Sequence, residues 1–211
     1  MKLIAIETPK STEDAAYLDQ MYRLRARVFA DRLAWNVSRS NGRERNQFDE
    51  FEPTYILALS DRDNDVVIGC ARLLPAIGPT MLEQVFPQLL SAGRLDTHPS
   101  MIESSRFCVD TAYPREAGEG ALHDVTFGMF AGILEWSLHQ GYREIATATD
   151  VLFERILRRA GWPMKRLGRP IMINETMSVA GILPVSRENF ERLRPQSYRS
   201  AFSPRRQSAA A

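Results

Sequence analysis

Apolar residues along the chain follow two spacings, and these spacings predict the order of helices and strands. A helical spacing of 3.6 residues begins after Ser11, where a hydroxyl followed by acids is typical of a helix N-terminus, and returns at 122–140, ending at Gly141. Shorter helices are predicted near 81–90 and at 152–160. Strands are predicted at 2–7, 54–60, 66–74, 101–109, 144–148 and 171–182, of which 54–60 and 66–74 are apolar runs.

This order predicts a mixed β-sheet flanked by helices, of α/β or α+β type. The chain of 211 residues fits one domain, which we assign to residues 1–196. Residues 36–53 are rich in charge and contain an Asn-Gly pair, so they are predicted to form an exposed, mobile loop. Residues 197–211 end in three alanines and are predicted to be a disordered tail.

Composition narrows the classes of function. The 27 basic and 26 acidic residues leave a net charge of +1, which argues against a nucleic-acid partner. No apolar run approaches 18 residues, so we expect no membrane-spanning helix and no membrane partner. The first apolar residues are interrupted early by Glu7, which is not typical of a signal peptide. A cytoplasmic protein is therefore expected.

The two cysteines and three histidines carry no recognisable reactive motif. Cys70 and Cys108 lie in apolar, strand-like surroundings, so they are predicted to be buried thiols. The histidines show neither a link to a thiol nor the spacing of metal ligands. We therefore predict no metal site and no covalent nucleophile.

The first helix offers a candidate binding face. Arg25 and Phe29 lie four residues apart, so their side chains point the same way, and an arginine fork beside an aromatic ring can hold a carboxylate. A solvated arginine and a core phenylalanine would show the same spacing. Trp35 follows in a segment without apolar periodicity, where an indole either anchors the loop or lines a ligand site.

Charged residues also occur among aromatic and strand residues. Asp49 stands between Phe48 and Phe51, which suits a cation, although a plain loop acid fits as well. Arg72 lies within an apolar run and needs a carboxylate partner if it is buried, so an ion pair with Glu103 on a neighbouring strand is expected.

The spacing of Glu103 and Arg106 raises a separate question about β-structure. The two residues are three apart, and a regular strand would direct them to opposite faces. Either a bulge intervenes or one of the two side chains enters the site.

Taken together, these blocks resemble the acyl-homoserine-lactone synthase family, whose members make the signals of bacterial quorum sensing. The resemblance extends from about residue 21 to residue 184. The arginine and phenylalanine of the family's Arg-x-x-Val-Phe fall on Arg25 and Phe29. The remaining family positions fall on Trp35, on Asp49 as the second acid of Asp-x-x-Asp, on Arg72, and on Glu103 and Arg106 as Glu-x-x-Arg.

One family position differs in this chain. The first acid of Asp-x-x-Asp falls on Asn46. Asparagine can serve if the family acid orders the loop by hydrogen bonds. If the charge of that acid steers the substrate, affinity should be lower, or Glu44 compensates.

The resemblance implies a three-layer αβα sandwich with a mixed, partly splayed sheet, similar to the N-acetyltransferase fold. It also implies two substrates, S-adenosylmethionine (SAM) and an acyl chain carried as a thioester on acyl carrier protein, with no cofactor. The amine would attack the thioester, and the methionine carboxylate would then close the lactone and release methylthioadenosine (MTA). A separate transcriptional regulator would sense the product.

Roles follow from the same resemblance. Glu103 would act as a base or orient a water, with Arg72 and Arg106 holding the catalytic site together by pairing with acids. SAM would be bound by Arg25, Phe29, Trp35 and Asp49.

The resemblance also implies a site for each end of the acyl donor. Because acyl carrier proteins are acidic, their docking site should be basic. The predicted docking site is the basic cluster Arg155, Arg158, Arg159, Lys165 and Arg166. A solvated helix face would show the same cluster. Thr147 or Thr149 would hydrogen-bond a medium-length 3-oxoacyl chain, and Met129 would line its pocket.

Two other classes of function compete with this reading. An N-acetyltransferase-like enzyme that uses acyl-coenzyme A and another small amine would show a Gln/Arg-x-x-Gly-x-Gly/Ala loop, and the comparable stretch at 115–120 lacks that spacing. A DNA-binding or signalling module is disfavoured by the balanced charge and by the lack of a recognisable helix-turn-helix.

Overall fold

One mixed β-sheet organises the chain. The computed structural model describes residues 1–33, 35–61, 65–113 and 121–202. Within them, eight strands form a sheet in the order β1-β4-β5-β6-β7-β10-β8, with β9 paired to β10, and β2 and β3 form a separate hairpin. The strands are β1 (Lys2–Ile6), β2 (Arg39–Ser40), β3 (Arg43–Glu44), β4 (Thr54–Leu59), β5 (Val67–Pro75), β6 (Met101–Val109), β7 (Glu144–Asp150), β8 (Lys165–Arg166), β9 (Ile171–Ile173) and β10 (Thr176–Pro184).

The helices begin and end where local capping chemistry places them. Ser11 precedes the first helix, and its hydroxyl accepts the N–H of Asp14, while Gly141 ends the long helix with a φ of +83°. The helices are α1 (Thr12–Arg25), α2 (Met81–Gln84), α3 (Ala121–Gln140), α4 (Val151–Arg159) and α5 (Arg187–Leu193). The last was not predicted, although Ser186 before it is a typical N-cap and accepts the N–H of Asn189. None of these described helices is long and apolar enough to cross a bilayer.

The helices lie in layers on both faces of the sheet, which confirms the predicted αβα sandwich. Helix α3 covers β1, β4 and β5 on one face, and α5 lies against α3. Helix α1 covers β5 on the other face. A Cβ on Gly132 of α3 would lie 3.2 Å from Leu3 and 3.3 Å from Ile56, so the small residue lets the long helix approach the sheet closely.

The sheet opens between β6 and β7, and this confirms the expected splay. These two strands run parallel, but their ladder is confined to Met101–Glu103 and residues 144–146, although both strands continue. Just beyond the last pair, the Thr147 hydroxyl donates to the carbonyl of Ser104 at 2.8 Å. We call this opening the β6–β7 fork.

A β-bulge in β6 answers the question about strand faces. Opposite Cys70 and Arg72 of β5, strand β6 contains one extra residue, because Cys70 pairs with Cys108 and Arg72 with Ser105. Arg106 lies within this bulge and has a φ of +54°. The extra residue turns Arg106 to the same face as Glu103, where a regular strand would have separated them.

Two segments differ from expectation. Residues 36–53 include β2, β3 and a 3-10 turn (Gln47–Glu50), and Glu44, Phe48 and Asp49 within them are buried. The prediction of an exposed, mobile loop was therefore wrong for these residues. Two of the charged residues that suggested exposure, Glu44 and Asp49, are instead paired with the buried Arg25.

The predicted tail is packed in the part that the structure describes. Leu3 donates its N–H to the carbonyl of Arg199 at 2.8 Å and accepts the N–H of Ala201 at 2.9 Å. The Tyr198 hydroxyl donates to Glu135 of α3 at 2.7 Å. Residues 198–201 thus lie along β1, and residues 203–211 lie outside the described residues.

Candidate active site

Three arginines from three elements converge on the face of the sheet that α1 covers. Arg25 comes from the end of α1, Arg72 from β5 and Arg106 from the bulge of β6. The side chains of Arg25 and Arg72 are fully buried, and that of Arg106 is 11% exposed. Because unpaired buried charge is strongly destabilising, such a group requires carboxylates close by. We call these arginines and their carboxylates the arginine–carboxylate cluster.

Asp49 is the centre of this cluster. Its Oδ1 accepts from Nη1 of Arg25 at 2.8 Å, from Nη1 of Arg72 at 2.9 Å and from the Tyr55 hydroxyl at 2.8 Å. Its Oδ2 accepts from Nη2 of Arg25 at 2.9 Å and from the N–H of Asn46 at 2.8 Å. Burial alone would raise the pKa of Asp49, but the hydrogen bonds and charges of the two arginines outweigh it and hold that pKa well below its usual range.

Arg25 is held on both sides by protein carboxylates. Besides the two-pronged contact with Asp49, its Nε donates to Oε2 of Glu44 at 2.5 Å. Burial would lower the pKa of Arg25, yet the contacts with Asp49 and Glu44 raise it above the ordinary value. All three nitrogens of the guanidinium therefore donate to the protein. The role expected for Arg25 in binding SAM stays a prediction, and the structure gives this residue a bridging position.

Asn46 acts through hydrogen bonds. Its Oδ1 accepts from the N–H of Phe48 at 3.1 Å and from Nη1 of Arg72 at 2.8 Å, and its own N–H donates to Asp49. It thereby caps the 3-10 turn that carries Asp49. The asparagine thus orders this segment without a charge, in line with the first of the two alternatives drawn from the sequence.

The expected ion pair between Arg72 and Glu103 is not formed. The register of β5 and β6 places Arg72 opposite Ser105, to which it donates at 3.1 Å, and Glu103 opposite Leu74. Glu103 instead accepts the backbone N–H groups of Met81 at 2.8 Å and of Leu82 at 2.7 Å. The prediction was wrong because the alternation of residues along a strand does not fix the register of its partner.

Glu103 is nevertheless buried beside the arginines. Its residue is 2% exposed, and burial raises the pKa of its carboxyl, while the two backbone hydrogen bonds offset part of that effect. Each carboxylate oxygen can accept a second hydrogen bond. Glu103 is thus a base of raised proton affinity at the start of α2.

Arg106 is the arginine with the most spare hydrogen-bonding capacity. Its Nε donates to Oε1 of Glu44 at 3.1 Å, its Nη2 lies at ion-pair distance, 3.1 Å, from the same oxygen, and its Nη1 faces the sulfur of Met81 at 3.5 Å. Burial lowers the pKa of Arg106, and the nearby positive charges of Arg25 and Arg72 add to this despite Glu44. Since a thioether is a weak acceptor, Nη1 of Arg106 is suited to an anionic group of a ligand.

Phe29 and Trp35 form a stacked pair beside Arg106. Their ring centroids are 5.3 Å apart with planes at 12°, and the guanidinium of Arg106 lies 5.4 Å from the centroid of Phe29. Trp35 is 39% exposed, and its backbone N–H donates to the carbonyl of Phe29 at 2.8 Å. The indole therefore packs on Phe29 with one side and is partly exposed at the rim of the cluster.

The opposite face of the sheet carries the residues expected at the acyl chain. Thr147 and Thr149 share a face by alternation, and Thr147 lies at the β6–β7 fork. Three rings cluster on this side, with centroids 5.0 to 5.8 Å apart, from Phe107 of β6, Phe130 of α3 and Phe153 of α4. Met129 of α3 belongs to the same hydrophobic cluster as Phe130 and is fully buried, and a Cβ on Gly69 of β5 would lie 3.2 Å from its side chain.

The five predicted docking residues are all exposed. Arg166 of β8 donates to Glu154 of α4 at 2.6 and 2.7 Å, and these contacts lower the pKa of Glu154. Exposed Leu152 and Ile156 lie on the same helix. Within the described residues, no carboxylate lies at ion-pair distance from the other four members of this surface, Arg155, Arg158, Arg159 and Lys165. We call the five docking residues, including Arg166, the basic surface.

The two cysteines are buried, and the described residues show no metal-binding group. Cys70 and Cys108 are buried with their sulfurs 3.4 Å apart, which confirms the prediction of buried thiols, and burial raises the pKa of Cys108. Among the described residues, no three His, Cys, Asp or Glu side chains are grouped to hold a metal ion.

Three members of the site were not singled out from the sequence. Glu44 was considered only as a substitute for the family acid, and Tyr55 and Met81 were not considered at all. Tyr55 lies within the apolar strand β4 and Met81 is the first residue of α2, and neither position shows a sequence pattern that signals a polar contact. Glu44 lies two residues after an Asn-Gly pair, and charged residues near such turns are usually exposed.

Comparison with known proteins gives a consistent picture. Residues 10–193 match the model of the autoinducer synthase family. The acyl-homoserine-lactone synthase of Rhizobium radiobacter is 54% identical over 203 residues, which cover 96% of this chain and 95% of the relative. That of Agrobacterium fabrum (strain C58) is 52% identical over 200 residues, covering 95% and 94%.

Solved structures agree in fold. The CoA-dependent acyl-homoserine lactone synthase BjaI, solved with SAM and isopentyl-CoA, matches with a TM-score of 0.81 and 25% identity, over 95% of this chain and 93% of that chain. A protein from Lactobacillus plantarum assigned to the N-acetyltransferases matches in fold alone, with a TM-score of 0.57 and 17% identity, over 87% and 97%. The expected similarity to the N-acetyltransferase fold is confirmed.

Proposed function

The chain belongs to the autoinducer synthase family and is an acyl-homoserine-lactone synthase, and we propose that it joins an acyl thioester to SAM between the arginine–carboxylate cluster and the β6–β7 fork. The observation that carries this proposal is the convergence of Arg25, Arg72 and Arg106 with Asp49 and Glu44 beside the opening of the sheet. SAM carries a sulfonium, an ammonium and a carboxylate, so a site with both signs of charge fits it.

Acylation requires a proton acceptor and a site for the oxyanion. One proton leaves the ammonium of SAM to Glu103, directly or through a water, since burial raises the proton affinity of that carboxylate. The amine then forms the C–N bond at the thioester carbon. Backbone N–H groups of β6 beyond its last pair with β7 stabilise the oxyanion. As the C–S bond breaks, a second proton passes from the nitrogen to the departing thiolate.

Lactone closure needs positioning rather than acid or base. An oxygen of the methionine carboxylate forms a bond to the γ-carbon while the bond from that carbon to the sulfonium breaks, so neutral MTA leaves. Arg106 orients the carboxylate through its spare donors. Trp35, which stacks on Phe29, presents its exposed face to the adenosyl portion. The BjaI relative has also been solved with MTA, which supports binding of this product at such a site.

For the acyl donor we propose acyl carrier protein, bound at the basic surface. Among the residues that the structure describes, Arg155, Arg158 and Arg159 lie exposed on α4 with no carboxylate at ion-pair distance, and Leu152 and Ile156 add apolar contact area on the same helix. The helix follows β7 directly, so the surface lies on the side of the fork where the thioester must enter. BjaI is described as CoA-dependent, so acyl-CoA is the second donor to test.

For the acyl chain we propose a medium-length 3-oxoacyl group, with Thr147 as the residue that recognises the 3-oxo oxygen. Its hydroxyl donates to Ser104 across the fork, and a rotation of that hydroxyl would offer the proton to a substrate oxygen. Phe107 and Phe153, whose centroids are 5.0 Å apart, bound the apolar space on this side.

The proposal is tested by mass spectrometry of purified enzyme with SAM and each donor in turn, beside Glu103→Gln. We expect a homoserine-lactone ion with the wild type and its loss with the variant. Lactone formed from the carrier-protein thioester but not from acyl-CoA supports the basic surface as a docking site. Absence of any lactone from soluble wild-type protein with both donors would contradict the proposed reaction.

A further inference from the structure

Two arginines of the cluster direct a guanidinium nitrogen toward the sulfur of Met81. Nη2 of Arg72 lies 2.8 Å from this sulfur, and Nη1 of Arg106 lies 3.5 Å from it. Met81 is buried at the start of α2, where its own backbone N–H donates to Glu103. Its side chain therefore lies against the arginine–carboxylate cluster and contacts two of the three guanidinium groups.

The sulfur is the weakest acceptor that these arginines have. Nε and Nη1 of Arg72 donate to oxygens of three other side chains, and Nε and Nη2 of Arg106 face Oε1 of Glu44. Among the residues that the structure describes, the remaining nitrogen of each arginine has the sulfur of Met81 as its acceptor. A thioether accepts hydrogen bonds only weakly, so two charged donors stay poorly compensated in a site shielded from water.

A weak acceptor at this place favours a ligand that brings a strong one. A carboxylate would form charge-assisted hydrogen bonds, which are roughly twice as strong as neutral ones. Little is lost when the thioether contact is given up, so most of the gain appears as affinity. A methionine side chain is unbranched and flexible, so it can turn aside. An amide or carboxylate at position 81 would instead occupy both donors before the ligand arrives.

We propose that Met81 is a positioning residue, a displaceable acceptor that holds Nη2 of Arg72 and Nη1 of Arg106 ready for the carboxylate of SAM. The carboxylate takes the place of the sulfur, with one oxygen toward each guanidinium, and the side chain of Met81 turns away. This rests on the proposed binding of SAM at the cluster. It adds Arg72, whose side chain is fully buried in the free protein, to the groups that the substrate contacts.

The test uses decarboxylated SAM, which keeps the sulfonium and the ammonium but lacks the carboxylate. By isothermal calorimetry, the wild type should bind SAM at least about tenfold more tightly than decarboxylated SAM. Met81→Gln supplies an amide oxygen to both arginines, so it should weaken SAM about tenfold and change decarboxylated SAM by less than about threefold. Met81→Leu keeps the volume without an acceptor, so its SAM affinity should stay within about threefold of the wild type.

Met172→Gln is the matched control, because it makes the same substitution at an exposed methionine of β9. It should leave both affinities unchanged. Equal weakening of SAM by Met81→Leu and Met81→Gln would show a packing role and overturn the inference. Equal weakening of both ligands by Met81→Gln, or an unchanged SAM affinity in that variant, would also overturn it.

A measurement on the wild type keeps the inference testable if Met81→Gln is insoluble. In protein labelled with carbon-13 at the methionine methyl groups, the NMR signal of Met81 is assigned by its absence from Met81→Leu. SAM should shift this signal at least about twice as far as decarboxylated SAM does, because displacement of the sulfur requires the carboxylate. Equal shifts would contradict the inference. A wild-type protein that binds no SAM would instead refute the proposed function.

Discussion

Removing the charge of Asp49 is the perturbation that tests the arginine–carboxylate cluster most directly. Asp49→Asn keeps the volume of the side chain but turns an acceptor-only group into one that also carries N–H donors. Asp49 accepts five hydrogen bonds, from Arg25, Arg72, Tyr55 and Asn46, and its two oxygens are both in use. The substitution therefore leaves two buried guanidinium groups short of an acceptor and places an amide N–H against another donor.

The expected loss is large because the charges left behind are buried. Breaking a buried ion pair by removing one partner costs about 3–5 kcal/mol, against a total unfolding free energy of about 5–15 kcal/mol for a typical domain. For a chain of this length each kcal/mol corresponds to about 2–4 °C in Tm, so the variant should melt about 6–20 °C lower. Glu44 remains paired with Arg25 and Arg106 and limits the loss.

Equilibrium urea unfolding followed by circular dichroism measures this loss, with Asp31→Asn as the control. Asp31 forms an ion pair with Arg39 at 2.6 Å, but both side chains are about half exposed. Screening by water should keep the effect of Asp31→Asn below about 1 kcal/mol. A loss below about 1 kcal/mol for Asp49→Asn, no greater than that of the control, would refute the view that burial makes this pairing strong.

The wild type and Asp49→Asn also give a prediction on how stability depends on pH. The folded pKa of Asp49 is depressed below its unfolded value of about 3.9, so its contribution is fully present above that value and is lost as pH falls toward the folded pKa. The stability difference between wild type and Asp49→Asn should be constant near neutral pH and shrink below about pH 4. A difference that grows with acidification would contradict the assigned direction of the pKa shift.

Three further changes test other parts of the proposals. Arg158→Glu with Arg159→Glu should raise the KM for acyl carrier protein and leave that for SAM unchanged in steady-state kinetics, and no change in either would reject docking at the basic surface. Thr147→Val should lower the ratio of kcat/KM for 3-oxo over unsubstituted chains, and an unchanged ratio would reject its role. In Gly168→Ala the new Cβ would lie 2.3 Å from a backbone carbonyl oxygen, so the free energy of unfolding measured in urea should fall by about 1–3 kcal/mol. The fall should be smaller in Gly128→Ala, where the new Cβ meets the flexible end of a methionine side chain.

Elements defined by local signals were predicted well from the sequence. The hydroxyl of Ser11 caps α1 where the capping pattern predicted it, and β6 spans Met101–Val109, the range predicted for this strand. These signals depend on neighbours within a few residues, because a cap and a pleat are short-range features. The same logic would have found α5, whose N-cap Ser186 precedes an acid and two apolar positions.

Features that depend on pairing between distant segments were not predictable in the same way. The bulge at Arg106 exists because β6 has one residue more than β5 between two pairs. The spacing of Glu103 and Arg106 named a bulge as one of two alternatives, but it did not decide between them. The segment with Glu44 and Asp49 was predicted to be exposed because composition does not distinguish a solvated charge from a paired one. The residues of the site were recognised as a set, but their partners depended on the three-dimensional register.

The cost of the cluster is itself an argument for its role. Apolar side chains of similar volume in place of a buried ion pair are often neutral or stabilising by about 1–4 kcal/mol, so stability alone does not favour Arg25, Arg72 and Arg106 in this cavity. The left-handed conformation of Arg106 adds strain. A ligand that carries both a cationic sulfur and a carboxylate gives a reason for both signs of charge. Arg106 is the partly exposed arginine of the three and its Nη1 faces a thioether, so we propose that it binds this carboxylate.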